Sequence, residues 1–446
     1  CRRIAHRPPF SRKVFARAFA VRSFPRRRFI GSIHRKRRAP TLDAFRLGRG
    51  AVRRFSHASA SHADWRQAVE LLLARLGSEP GQSVSESSRL LAFVYATDPM
   101  AGRLDEVREE LTRRRPDIDW VGAIAHGVYG VDAEFREQPA LAAMVCDLPE
   151  DSFSVFSGRN RLDMVAPEGG VHAAIVHADP TTPDLNELLG DLLRHVPTGQ
   201  VFGGVVGGET EPALQLAGDV ISGGVSGVAL SPRARTLSRL TQGCSPLAGE
   251  HIVSACSAQY IQSLDGRPAL DVLLDDLDVP AEARSSRDGE EILRALPSER
   301  LARGLMIGLA PGGSTPRGMG FGDFRVRNVI GIDPTNRLLA VAATPEPGER
   351  AVFCTRDQTA ARADLTRICT ELREEVESES LRILGAHYVS CVARGAHLFG
   401  APGAELELIS HNLGKLPLVG FFANAEIAGD RIYGYTGVLT LFVESA

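Results

Sequence analysis

The chain has 446 residues, 43% apolar, 24% charged and 6% aromatic. That suits one large domain or two ordinary ones with buried cores. It excludes a disordered, collagenous or disulfide-dense protein. The net charge of −2 hides an asymmetry: residues 1–60 hold 18 Lys+Arg and one acid, Asp43, leaving 34 basic and 53 acidic residues to the other 386, a net of −19. A body that acidic repels phosphates, so nucleic acid is not an expected partner. No apolar run approaches the roughly 20 residues that a membrane-spanning helix needs, so no membrane partner is expected either.

Residues 1–56 read as a separate basic tail, Arg-rich and broken by Pro8, Pro9, Pro25 and Pro40. It lacks the apolar stretch of a secretory signal. A disordered or non-native segment is the leading reading. A targeting peptide and a basic arm centred on Arg35–Arg38 are the alternatives. The seven cysteines (1, 146, 244, 256, 354, 369 and 391) form no C-x-x-C pair. Free thiols in a reducing cytosol follow, with no disulfide framework or zinc ribbon.

From Phe55 the pattern is periodic. Asp64 caps a helix over 65–76. A continuous apolar strand over 90–95, ending at Asp98-Pro99, is buried on both faces. A helix over 103–115, a strand over 120–125 and another over 141–146 follow. The unit recurs as a strand over 171–177 ending at Asp179-Pro180, a helix over 183–195, a strand over 201–206 and one strand over 221–230. A third copy has a strand over 387–392, a helix over 404–413 and strands over 418–422 and 435–443. The second and third copies align: Gly203 precedes Glu209 by six residues, as Gly420 precedes Glu426. Gly218-Asp219 then matches Gly429-Asp430 after a six-residue insertion. Shared glycine spacing indicates internal duplication, because glycine fixes backbone geometry. Between the copies lie strands over 323–332, 337–342 and 351–354 and a charged helix over 359–377. The fold class is α/β, mixed α+β, with two related domains at 57–255 and 256–446 whose mixed sheets are flanked by helices.

The familiar catalytic motifs are missing. There is no G-x-x-x-x-G-K-[ST], no G-x-G-x-x-G between strand and helix, and no G-x-S-x-G. The cluster Gly312, Gly313, Gly318, Gly320 and Gly322, with Arg317, reads as a surface loop. Histidine pairs five residues apart (57 and 62, 172 and 177) do not suit a metal, and no metal or cofactor is expected. Asp271, Asp275, Asp276 and Asp278 read as the solvated face of a helix starting near Pro268. Two constellations remain. Ser390-Cys391-Val392-Ala393-Arg394-Gly395 stands at the C-terminal end of a buried strand, where open α/β sheets bind ligands. Cys391 beside a guanidinium is either a reactive thiolate or a buried inert thiol. Arg394 either grips a ligand carboxylate or pairs with a carboxylate such as Glu426. The second constellation is Gly420, Asn424, Glu426, Tyr433 and Thr436, where Glu426 either holds an ammonium group or makes a structural ion pair.

These residues resemble the FIST family, proteins with paired FIST-N and FIST-C domains. The likeness is carried by Leu264-Asp265-Gly266-Arg267-Pro268, by Phe324-Arg325-Val326-Arg327-Asn328-Val329 with Asp333, and by Ser390-Cys391-x-x-Arg394-Gly395. It continues through Pro417-Leu418-x-Gly420-Phe421-Phe422 to Glu426-Ile427 and Tyr433-x-x-Thr436-Gly437, with Ala425 where the family usually has glycine. The resemblance implies a cytoplasmic, non-catalytic sensor of a small molecule such as an amino acid, signalling through a separate output partner in trans. A zwitterionic ligand suits Arg394 for its carboxylate and Glu426 or Glu209 for its ammonium. Gly203, Cys391, Gly395, Gly420, Asn424, Tyr433 and Thr436 complete the expected site. A Cys391-dependent enzyme and a non-catalytic scaffold are the alternatives.

Overall fold

The computed structural model describes residues 55–77, 88–130, 133–298, 304–313 and 324–446. The basic tail up to residue 54 and the loop positions Arg317, Gly318, Gly320 and Gly322 lie outside them. The body forms one compact unit.

The repeat is realised three times. The first copy supplies β1 (Phe55–Ser61), β2 (Ser88–Thr97), β3 (Ile118–Ala125), a hairpin of β4 (Gly127–Gly130) and β5 (Ala133–Arg136), and β6 (Ala140–Pro149). The second supplies β7 (Phe153–Phe156), β8 (Ala173–Ala178), β9 (Gln200–Val205), the hairpin β10 (Leu214–Ala217) and β11 (Asp219–Ser222), and β12 (Val225–Leu230). The third opens with β13 (Thr236–Gln242). An insertion follows, with β14 (Cys244–Pro246), β15 (His251–Ser257), β16 (Tyr260–Leu264), β17 (Arg267–Pro268), β18 (Leu305–Ala310), β19 (Arg325–Asp333), β20 (Leu338–Val341) and β21 (Arg350–Arg356). The copy then resumes with β22 (Leu381–Cys391), β23 (Leu418–Ala423), the hairpin β24 (Ala425–Ala428) and β25 (Arg431–Tyr433), and β26 (Thr436–Ser445).

Each copy builds a sheet and lends its hairpin to another. The sheets run β1-β6-β2-β3-β10-β11, β7-β12-β8-β9-β24-β25 and β13-β26-β22-β23-β4-β5. The exchange is cyclic: the first copy's hairpin completes the third sheet, the second's the first, the third's the second. In each sheet the one parallel pair is β2/β3, β8/β9 or β22/β23. The strand expected over 221–230 is two strands in two sheets, broken at Gly223-Gly224, because the hairpin leaves for its neighbour there.

The three inner faces meet in one core that includes Phe93, Tyr95, Ile175, Val389, Phe421 and Phe442. Helices cover the outer faces. Trp65–Leu76 and Leu104–Arg114 cover the first sheet, Leu185–Arg194 the second, and Gln358–Ser378 with Ala404–Leu413 the third. Burial on both faces explains why β2, β8 and β23 read as unbroken apolar runs. Gly122, Gly203 and Gly420 occupy equivalent parallel-pair positions, where a Cβ would lie 1.6, 1.9 and 1.8 Å from the carbonyl oxygens of Val94, Val176 and Tyr388. Their spacing reflects close strand approach.

One residue from each sheet meets in this core. The Tyr95 hydroxyl lies 2.8 Å from His177 Nε2 and 2.5 Å from His387 Nε2. A hydroxyl has one proton to give, so one imidazole accepts through Nε2 and the other donates. Burial pushes both histidines down to about 3, so both are neutral.

The insertion closes on itself, because β18 pairs with both β19 and β21. The resulting barrel packs its core against the helix Ala269–Asp276. The acidic residues of that helix are not a free solvated face. Asp271 accepts from Arg337 Nε at 2.7 Å, Asp275 from Arg267, and Asp276 faces His251 Nε2 at 3.0 Å.

Candidate functional site

β22 carries the chain to Cys391, and the following turn is fixed by Arg394 N donating to Cys391 O at 2.8 Å. Gly395 has φ 64° and ψ −145°, a conformation that favours glycine. A Cβ there would also lie 2.4 Å from Arg136 Nη2 and 3.0 Å from the Phe422 ring. The turn drives the Arg394 side chain inward until it is fully buried.

Arg394 pairs with Glu405, in the first turn of the helix Ala404–Leu413, through Nε at 3.0 Å. The carboxylate of Glu405 is the node of a buried network. It also accepts from Tyr129 Oη at 2.7 Å, Tyr388 Oη at 2.8 Å, Ser390 Oγ at 3.2 Å and Gly395 N at 3.1 Å. Burial opposes the guanidinium charge, but Tyr388 and Glu405 outweigh it and hold Arg394 protonated. Its Nη1 and Nη2 have no hydrogen-bond partner among the described residues.

Glu426 is also fully buried, on the exchanged hairpin, where it pairs with Gly204 of β9 and Tyr433 of β25. Its Oε2 accepts from Thr436 Oγ1 at 2.5 Å and Thr436 N at 3.2 Å. Its Oε1 has no partner among the described residues. Burial pushes this carboxyl up to about 8, although the Thr436 bonds and the Arg394 charge pull it back. It is therefore largely neutral at pH 7. Cys391 feels both groups. Burial and then the Glu426 charge push its thiol up to about 12, against the N–H groups of Ala393 and Tyr435 and the Arg394 charge. A thiol held protonated is a poor nucleophile.

The insertion reaches the same turn. Tyr435, at φ 64°, donates from its hydroxyl to Asn328 Oδ1 at 2.7 Å. Its ring packs against Cys244, Met306, Val326 and Cys354. Arg356 Nη1 donates to Ala393 O at 3.5 Å.

Among the expected site residues, Cys391, Arg394, Gly395, Glu426, Tyr433 and Thr436 cluster at this end of β22 and β24. Gly203 and Gly420 serve strand packing instead. Asn424 is exposed, its Oδ1 2.8 Å from His126 Nε2 while its Nδ2 donates to Val206 O. Glu209 is exposed between β9 and β10 and does not occupy the place of Glu426 in the second copy. The strand register gives that place to Gln215, which pairs with Ala123 as Glu426 pairs with Gly204. The six-residue insertion thus precedes the hairpin, and Gln215 accepts from Ser226 Oγ at 2.6 Å. The carboxylate partner of Arg394 is Glu405, not Glu426. Glu405 is missing from the expected set, yet it stands four residues before the buried Ile409, on the helix face that turns inward.

The family model for the FIST N domain matches residues 90–267, and that for the FIST C domain matches residues 269–429. The chain belongs to the FIST family. It is 30% identical over 348 residues to an uncharacterized protein of Mycobacterium tuberculosis (strain CDC 1551 / Oshkosh), covering 73% of this chain and 83% of that one. An uncharacterized protein of Mycobacterium bovis is 30% identical over 351 residues, with the same coverage of each chain. FIST domains are small-ligand sensory domains, which supports a sensory role. Among the described residues no helix is long and apolar enough to cross a membrane. The FIST N match includes β4 and β5, which complete the sheet that holds β22 and β23 of the FIST C match.

Proposed function

We propose that this FIST protein is a cytoplasmic sensor that binds an amino acid or similar metabolite without transforming it and signals through a separate partner. One observation carries the reading: Arg394 Nη1 and Nη2 and Glu426 Oε1 are buried polar atoms without hydrogen-bond partners among the described residues. Leaving such groups unpaired costs about 1–3 kcal/mol each, and more when charged. A ligand with a carboxylate for the guanidinium and a hydrogen-bonding group for the carboxyl satisfies them together. The raised thiol of Cys391 speaks against the enzymatic alternative.

The test is a thermal-shift screen of the full chain against the amino acids and related metabolites, repeated on two variants. A binder is expected to raise the melting temperature of the wild type. Arg394→Ala and Glu426→Gln are each expected to weaken it by roughly 10-fold or more. Arg394→Ala also removes one partner of a buried ion pair, so it is expected to lose about 3–5 kcal/mol of stability. Glu426→Gln leaves that pair intact and isolates binding. A screen in which no compound shifts the wild type contradicts the reading.

A further inference from the structure

The bare donors at the end of β22 are not all on Arg394. Arg136 ends β5, the hairpin strand that the first copy lends to the third sheet, and its guanidinium stacks 3.5 Å above the centre of the Phe422 ring. Its Nη1 donates to Val392 O at 3.2 Å. Glu134 Oε1 stands 3.7 Å from its Nε, beyond hydrogen-bond distance, and the other oxygen of Glu134 accepts from Gly403 N at 3.2 Å. Arg136 Nε and Nη2 are buried and have no hydrogen-bond partner among the described residues, although Glu134 is an ion-pair partner of Nε. Gly395 keeps room for Nη2, since a Cβ there would stand 2.4 Å from it. The residue before that glycine is Arg394. The Arg136 guanidinium thus lies against Gly395, the residue after Arg394, and each of the two guanidinium groups has two nitrogens without a hydrogen-bond partner among the described residues.

The bookkeeping of donors and acceptors is lopsided. Each Nη carries two N–H groups and each Nε one, so the two arginines present several unpaired donors. Against these donors stands Glu426 Oε1, on a carboxyl held largely neutral, which has no hydrogen-bond partner among the described residues. What would complete the site is rich in acceptors. A guanidinium that is already oriented by stacking and by one backbone bond loses little freedom on gripping a carboxylate or phosphate through two parallel bonds.

We propose that Arg136 is a second anion-binding residue of the ligand site and that the ligand is a small molecule with two acidic groups, one for Arg394 and one for Arg136. This rests on the ligand-binding reading above and narrows its ligand class. Arg136 lies in the FIST N match and Arg394 in the FIST C match. A two-acid ligand thus bridges the two domains, and occupancy is sensed by both.

The test is calorimetric titration of the full chain with succinate, L-glutamate and O-phospho-L-serine, each carrying two acidic groups, and with L-alanine and L-leucine, carrying one. At least one two-acid probe is expected to bind roughly 10–100-fold tighter than the one-acid probes. Arg136→Gln is expected to erase that preference, and Arg136→Lys, which keeps the charge without the fork, to restore part of it. The carboxylate and phosphate arms show which acid the second position takes. One-acid probes that bind as tightly as two-acid probes, or a preference unchanged in Arg136→Gln, overturn this inference and leave the sensory reading standing. Failure of every probe overturns this inference, and the sensory reading is then decided by the wider thermal-shift screen. The wild-type comparison decides the matter even if Arg136→Gln does not fold.

Discussion

Glu426 gives the site a pH signature of its own. Its carboxyl titrates near 8 in the folded chain against an ordinary value of 4.5. Between those values the folded state holds a proton that the unfolded state has released. The contribution is fully present below about pH 4.5 and is lost as pH rises through 8, at up to about 1.4 kcal/mol per pH unit. Glu426→Gln removes the titrating group. Urea unfolding at pH 5 and pH 8 is therefore expected to show a larger stability loss in the wild type than in the variant. Equal losses would mean that Glu426 is not held neutral. His251, raised by Asp265 and Asp276 against the cost of burial, also loses stabilisation as pH rises, so the difference between the two proteins is the relevant quantity. At this scale the positions of Arg394, Glu426 and Thr436 near strand ends were legible in the sequence. It was silent on Arg136, whose place depends on which sheet receives the β4–β5 hairpin.

At the scale of elements, the parallel strand pairs decide where the site can sit. Gly420 lets β23 approach β22 so closely that an added Cβ would lie 1.8 Å from the Tyr388 carbonyl oxygen, and backbone cannot swing aside as a side chain can. Gly420→Ala is expected to cost about 3 kcal/mol, the upper part of the overpacking range. Gly249→Ala, with nothing within 4 Å, is expected to stay within about 0.5 kcal/mol. Denaturant midpoints of the two variants check this, and equal midpoints would refute the packing role. The helices and central strands were legible because their periodicity is local: 65–76, 104–114 and 404–413 all stand within a residue or two of expectation. The short hairpins were not. Four-residue strands such as Gly127–Gly130 and Leu214–Ala217 carry too little periodicity to announce themselves, and their partners lie in another copy. The same gap misplaced Glu209. Counting forward from Gly203 found an acid at the right distance, but the insertion precedes the hairpin and the register selects Gln215.

For the whole molecule, three sheets share one core, and each is finished by a hairpin from a neighbour. That exchange brings Arg136 of the first copy against Gly395 and Phe422 of the third and sets Glu426 of the third against β9 of the second. A ligand gripped by Arg136 and Arg394, as proposed, would touch the first and third copies at once, which is how a small occupant can bias a body of this size. The recurrence of the unit was readable in the glycine spacing. The cyclic order was not, because nothing in a strand's own residues names the sheet it will join.

The most direct measurement is native mass spectrometry of the full chain after incubation with a metabolite extract, wild type beside Glu426→Gln. The account predicts a single small-molecule adduct on the wild type that is lost or strongly depleted in the variant. Wild-type protein that stays at its bare mass, or an adduct of equal intensity on both proteins, would contradict it.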